Sequence, residues 1–299
     1  MNTLKSLKIY CTRYVRSGYG KEDILQEKFL FSEIVYNADA HVEQEKHYLA
    51  ENELNYRVIN EYDAHGRLSK TCQYDGDGQL VEVTGFTRDE RDRVLIQRHE
   101  LGEMGITYET HYTYEGDKIM QQDSYDEGQF AFTEKKWLYN SENKIIKIIE
   151  YNEDAEEKYV TVFTYDSNGL VIKQVRDEVL EKDRRTCFWE YDEHGREIKR
   201  LIYDYENILI AKCYTSYNDS GLVLVLEEED LDHYQKTTNH YQGDKLVKSE
   251  VVDGEGHALS CTEHEYDSSG NVIGVRHFYP DEVQNGELRL YQEFLHVRE

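Results

Sequence analysis

Short stretches in which every second residue is apolar or aromatic alternate along the chain with clusters of Asp, Asn, Ser and Gly. A two-residue period places side chains i and i+2 on one face of a strand, so the pattern predicts strands. It also repeats. Tyr165-Asp166-Ser167-Asn168-Gly169, Tyr191-Asp192-Glu193-His194-Gly195 and Tyr266-Asp267-Ser268-Ser269-Gly270 share one form, Tyr62-Asp63-Ala64-His65-Gly66 is another copy, and Tyr217-Asn218-Asp219-Ser220-Gly221 is a close variant. Weaker copies begin at Tyr36, Phe86, Tyr114, Tyr139 and Tyr241, and the intervals from Tyr36 to Tyr266 are 26, 24, 28, 25, 26, 26, 26, 24 and 25 residues. Tyr10 and Tyr291 extend the register by 26 and 25.

Each motif has a physical reading. Tyrosine ends a strand, Asp or Asn opens a turn by bonding the backbone two residues on, and Gly supplies the positive φ the turn needs. An apolar residue follows, giving the column Leu68, Ile119, Ile145, Val171, Val223, Leu246 and Val272. Half a period later a second turn recurs, as in Asp75-Gly76-Asp77-Gly78 and Asp253-Gly254-Glu255-Gly256. Two strands of about 8 residues and two turns of about 4 fill one period. The expected fold is all-β: tandem antiparallel β-hairpin repeats of roughly 20 strands forming one long curved or coiled sheet. Residues 1–35 read as an N-terminal capping segment, 36–290 as the array and 291–299 as a C-terminal strand or cap. Tyr112, Trp137, Phe163 and Trp189 each lie two residues before an anchor tyrosine, which predicts an aromatic stripe on one face, read as a core ladder in preference to an exposed ligand platform.

Composition alters this picture little. The net charge is −26, with 35 basic and 61 acidic residues, and taken alone such polarity suggests disorder; 26 tyrosines argue for a half-buried pleated surface instead. The charge disfavours nucleic acid and anionic membranes and favours a basic protein partner, or serves only to keep a β-rich chain soluble. Cys11, Cys72, Cys187, Cys213 and Cys261 are odd in number and lack a C-x-x-C, which fits reduced thiols in the cytoplasm. Cys187 and Cys213 occupy equivalent positions two strands apart, about 9–10 Å, too far for a disulfide. Neither a signal peptide nor a membrane span is read from the N-terminal segment, where Lys5 and Lys8 interrupt the apolar residues.

Motifs for nucleophilic, zinc, nucleotide or dinucleotide chemistry are absent from the sequence. Asp75-Gly76-Asp77-Gly78 lacks the third acidic position and closing glutamate of a calcium loop, and His65 and His194 share a turn position that marks the repeat. No catalytic residue, metal site or cofactor is expected. Two charge runs stand out. Glu227-Glu228-Glu229-Asp230, with Asp232, reads as a solvated loop or as a contact for a basic partner. Lys5, Lys8, Arg13, Arg16 and Lys21 read as a basic cap lying over the first sheet edge.

The series of Tyr-Asp-x-x-Gly motifs, clearest at Tyr62 to Leu68 and Tyr191 to Ile198, resembles the YD repeat of RHS proteins over roughly residues 36 to 290. That resemblance implies an antiparallel β-strip coiling into a hollow shell around a toxin domain. The chain is short for a complete shell, lacks a recognisable self-cleaving core segment, and no separate toxin domain follows the repeats. A free-standing member of this kind is similar to an immunity protein that binds and neutralises a cognate, basic toxin domain; the alternative is a shell or scaffold fragment enclosing a client protein. A carbohydrate-binding role is a third class, prompted by the tyrosines.

Overall fold

The computed structural model describes residues 5–16, 24–102, 104–280 and 288–298, and the chain divides into two compact units. Among the described residues there are twenty-two strands. The chain is all-β, and every pairing described below is antiparallel.

Unit 1 comprises Met1–Glu61, Gln73–Gln79 and Tyr214–Glu299. Its strands are β1 (Ser6–Arg16), β2 (Ile24–Tyr36), β3 (Val42–Ala50), β4 (Glu53–Tyr62), β17 (Val223–Asp230), β18 (Tyr234–Gln242), β19 (Lys245–Val252), β20 (Ala258–Tyr266), β21 (Val272–Pro280) and β22 (Leu288–Arg298). They pair in the continuous order β17-β18-β19-β20-β21-β22-β1-β2-β3-β4. This corrects the expectation of one long curved or coiled sheet, because the pairing order runs on through both ends of the chain. β1 and β22, the first and last strands of the chain, hydrogen-bond to each other from Leu7↔Arg298 to Arg13↔Gln292. An open strip would leave two rows of unpaired N–H and C=O groups, and here each end satisfies the other. The segment read as a cap over an edge contains β1 and β2, which are strands of the sheet itself; Lys8 and Arg13 lie within β1, and Lys21 lies outside the described residues.

Unit 2 comprises Tyr62–Cys72 and Leu80–Cys213. Its strands are β6 (Leu80–Arg88), β7 (Val94–Leu101), β8 (Ile106–Glu115), β9 (Lys118–Asp126), β10 (Gln129–Tyr139), β11 (Ile145–Tyr151), β12 (Glu157–Tyr165), β13 (Val171–Glu178), β14 (Asp183–Tyr191) and β15 (Glu197–Tyr203), each paired with the next. β5 (Leu68–Asp75) and β16 (Leu209–Tyr217) are divided between the units.

The turns explain the repeat. In Tyr165–Leu170 the Asp166 N–H donates to the Leu170 carbonyl, Gly169 donates back to the Asp166 carbonyl, and Asp166 Oδ1 accepts the N–H groups of Asn168 and Leu170 at 2.9 and 2.8 Å. The same bonds recur at Asp63, Asp192 and Asp267, so one carboxylate oxygen holds each bend. The fourth position takes a positive φ, +83° at Gly169. Many second turns are built the same way around Asp75, Asn152, Asp204 and Asp253.

The anchor tyrosines perform a task beyond packing. The hydroxyls of Tyr114, Tyr139, Tyr165 and Tyr191 donate to the main-chain carbonyls of Val94, Ile119, Ile145 and Val171 at 2.6–2.9 Å. Tyr241 and Tyr266 do the same to Val223 and Leu246, both at 2.9 Å. The acceptors are the apolar residues that follow the preceding turn, so each tyrosine staples its repeat to the one before.

The sheet has little core. The chain exposes 18985 Å², whereas a compactly folded chain of this size exposes about 13,000 Å². The buried residues are few and mostly small: Cys11, Phe29, Ser32, Cys72, Thr110, Asp123, Ile149, Thr161, Cys213 and Cys261. All five cysteines are free.

Candidate functional site

The sequence-predicted aromatic stripe lies on one face of unit 2, yet it is not a ladder. In register, Trp137 faces Ile148 and then Thr161, Phe163 faces Gln174 and then Cys187, and Trp189 faces Arg200. The rings are thus interleaved with polar side chains. Among the described residues no ring contact joins Tyr112, Trp137, Phe163 and Trp189, and all four are half-buried.

Over β12–β15 this face forms a shallow depression of about 550 Å³. Its rungs follow from the strand register. Glu178 faces Asp183, Arg176 faces Arg185, Gln174 faces Cys187, which faces Ile202, and Trp189 faces Arg200. Tyr159 completes the wall: the Arg176 guanidinium lies 4.2 Å from its ring centre, and its hydroxyl donates to Glu178 at 3.1 Å. That bond raises the Tyr159 hydroxyl above its ordinary value. Burial pushes the Cys187 thiol up to about 11, so it is a neutral thiol at pH 7. The depression carries three guanidiniums and two carboxylates in a chain whose net charge is −26.

The acidic run is organised differently from the sequence reading. Glu227 to Asp230 belong to β17 rather than to a loop. Alternation sends Glu227 and Glu229 to one face and Glu228 and Asp230 to the other. Lys236 pairs with Glu227 at 2.8 Å, Gln235 donates to Glu228, and Asp230 holds the next bend by accepting the N–H groups of Asp232 and His233. The five residues therefore form no single acidic patch. The repeat residues Tyr62, Asp63, Gly66, Asp166, Gly169, Asp192, Gly195, Asp267 and Gly270 sit in the turns where the motif places them. Arg67 donates to Asp63 and holds its carboxyl well below the usual carboxylate range.

Two features escaped sequence reasoning. Histidines stack on tyrosines and pair with carboxylates: His47 on Tyr56 with Glu45 at 2.7 Å, His99 on Tyr108 with Glu82 at 2.5 Å, and His111 on Tyr125 with Glu109 at 2.8 Å. At His99 both ring nitrogens are engaged, Nδ1 by Glu82 and Nε2 by Gln97, which leaves neither nitrogen to serve a substrate. The stacking tyrosines and Glu82 come from neighbouring strands, so no local signal marks them, whereas Glu45 and Glu109 lie two residues before their histidines on the same strand face. The second feature is an asymmetry between hairpin ends. Alternate turns of a meander lie at the same end of the strands. Met104, Phe130, Leu180, Tyr205, Ile208 and Leu231, all more than half exposed (52–73%), lie at or beside second turns, whereas none of the exposed large apolar residues falls within a Tyr-Asp-x-x-Gly turn.

No family model matches the chain, and no curated protein matches it. Among solved structures, the complex TcdB2-TccC3-Cdc42 is similar at 15% identity and a TM-score of 0.38, over 84% of this chain and 15% of that one. TcdB2-TccC3 without its hypervariable C-terminal region gives 14% and 0.37 over 82% and 15%. A porin-like protein from Bacteroides uniformis gives 9% and 0.34 over 100% and 98%. The chain spans about 15% of the length of the TcdB2-TccC3 chains it matches.

Proposed function

We propose that this chain is a non-enzymatic protein-binding scaffold that holds a client polypeptide, the shell-like role rather than toxin neutralisation. The observation that supports it is the concentration of exposed apolar side chains at the second-turn ends of the hairpins, including Met104, Phe130, Leu180, Tyr205 and Ile208 in unit 2. Exposed apolar groups gathered on one side of a soluble protein mark a surface that another molecule covers. The Tyr-Asp-x-x-Gly turns at the opposite end carry no exposed large apolar side chain. Neutralisation of a basic toxin domain draws support from the net charge of −26, but the run Glu227–Asp230 that would have focused it is split between faces.

The test is co-expression with the polypeptide encoded beside it, followed by size-exclusion chromatography and limited proteolysis. The scaffold role requires a stoichiometric complex in which the client resists protease, and Phe130→Ser with Leu180→Ser should release it. A complex that abolishes the client's toxicity while leaving it protease-sensitive selects the neutralising role. Failure to form any complex overturns both.

A further inference from the structure

We propose that the depression over β12–β15 is a binding site for an organic carboxylate whose flat or apolar body rests on Trp189. One rung of the depression is unfavourable by itself. Arg176 and Arg185 face each other directly across β13 and β14, and like charges directly opposite destabilise a strand pair. Their carboxylate partners do not neutralise them closely. Arg176 lies 3.5 Å from Glu150 and Arg185 lies 3.9 Å from Asp183, while on the next strand Arg200 lies 3.4 Å from Glu197. At Arg196, by contrast, the ion pair with Asp192 closes to 2.6 Å. Each guanidinium of the depression therefore keeps N–H donors to offer, in a fork that matches a carboxylate.

The three arginines surround a neutral floor. Gln174, Cys187 and Ile202 lie in one rung, with Arg176 and Arg185 one side-chain step along the strands in one direction and Arg200 one step in the other, about 6.8 Å each way. An oxyanion set on that floor is reached from both sides, and the neutral Cys187 thiol adds no opposing charge. Trp189, in the rung of Arg200, supplies a flat apolar surface beside it. The next rung outward, Glu178 and Asp183, repels a second negative charge, so a monoanion fits better than phosphate. The site is independent of the client-binding role, because it needs no macromolecule to fill it.

The test uses the full chain with Trp137→Phe, so that Trp189 is the remaining tryptophan, and follows its fluorescence with 3-phenylpropanoate, 3-phenylpropanamide and inorganic phosphate. The acid should give a saturable change, with the amide and phosphate each weaker by about tenfold or more. Arg176→Gln with Arg185→Gln should weaken the acid by about tenfold while leaving the melting temperature unchanged or higher, since the like-charge rung is gone. Arg200→Gln should weaken it separately. Equal binding of acid and amide, phosphate as tight as the acid, or undiminished affinity in both arginine variants overturns the assignment.

Discussion

At the residue scale the repeat is a statement about one side-chain oxygen and one backbone angle. The turn is held by the Asx carboxyl or amide, and the fourth position must enter the left-handed region. Glycine fills it at Gly66, Gly169, Gly195, Gly221 and Gly270, but Ala40 and Ala155 occupy the same place at φ +64° and +59°. An alanine there bears a steric cost of roughly 1–2 kcal/mol, offset in part by the greater freedom glycine has in the unfolded chain. Ala155→Gly is therefore expected to stabilise by about 0.5–1 kcal/mol, and Gly169→Ala to destabilise by about 1 kcal/mol, both read from urea midpoints. The five-residue motif was legible because Tyr, Asp and Gly each have a distinct local role. The second turns Asn152–Ala155 and Asp204–Asn207 were not, since what they share with the motif is the Asx oxygen, and Asp and Asn are too common in so acidic a chain to stand out.

At the scale of the strand pair, what joins repeat to repeat is a hydroxyl bonded to a main-chain carbonyl. Tyr165 reaches Ile145 and Tyr191 reaches Val171, both at 2.6 Å and partly shielded from water. Losing such a bond and leaving the carbonyl less satisfied costs about 1 kcal/mol. Tyr165→Phe and Tyr191→Phe should each lower stability by about that amount, whereas Tyr205→Phe, at a side chain 60% exposed, should change it little. The apolar column Ile145, Val171, Val223 and Leu246 was legible in the sequence, but its role as acceptor was not: every residue offers a carbonyl, so nothing in the side chain announces it. Strand pairing was legible wherever the partner is the next strand in the chain. The Arg176–Arg185 rung was not, because the register across the Val179–Lys182 turn decides which residues meet.

At the scale of the molecule, the feature local pairing could not foretell is the joining of β1 to β22, which brings together residues almost the whole chain apart. Three histidines lie on and beside that joint. His264 on β20, His277 on β21 and His296 on β22 lie on successive strands, and His296 faces Ile9 of β1. Burial lowers all three below the ordinary histidine value of 6.5, reinforced at His277 by His264 and at His296 by Arg298. The His264 Nδ1 is buried with no hydrogen-bond partner, and His277 meets Thr262 through its Nδ1 at 3.1 Å. The sign follows from linkage. Histidines whose value is lowered on folding bind fewer protons in the folded state, so their contribution is complete above 6.5 and falls as the pH drops below it through the lowered values. The Asp carboxylates that hold the turns, such as Asp63 and Asp267, are also lowered and lose their contribution only in stronger acid, below 3.8. Between pH 6.5 and about 5 these three histidines take up protons while the turn carboxylates stay ionised. The urea midpoint should fall across that interval, and the combined variant His264→Gln, His277→Gln, His296→Gln should flatten the fall even if it starts from a lower midpoint. An equal slope in the variant would place the acid sensitivity elsewhere in the sheet.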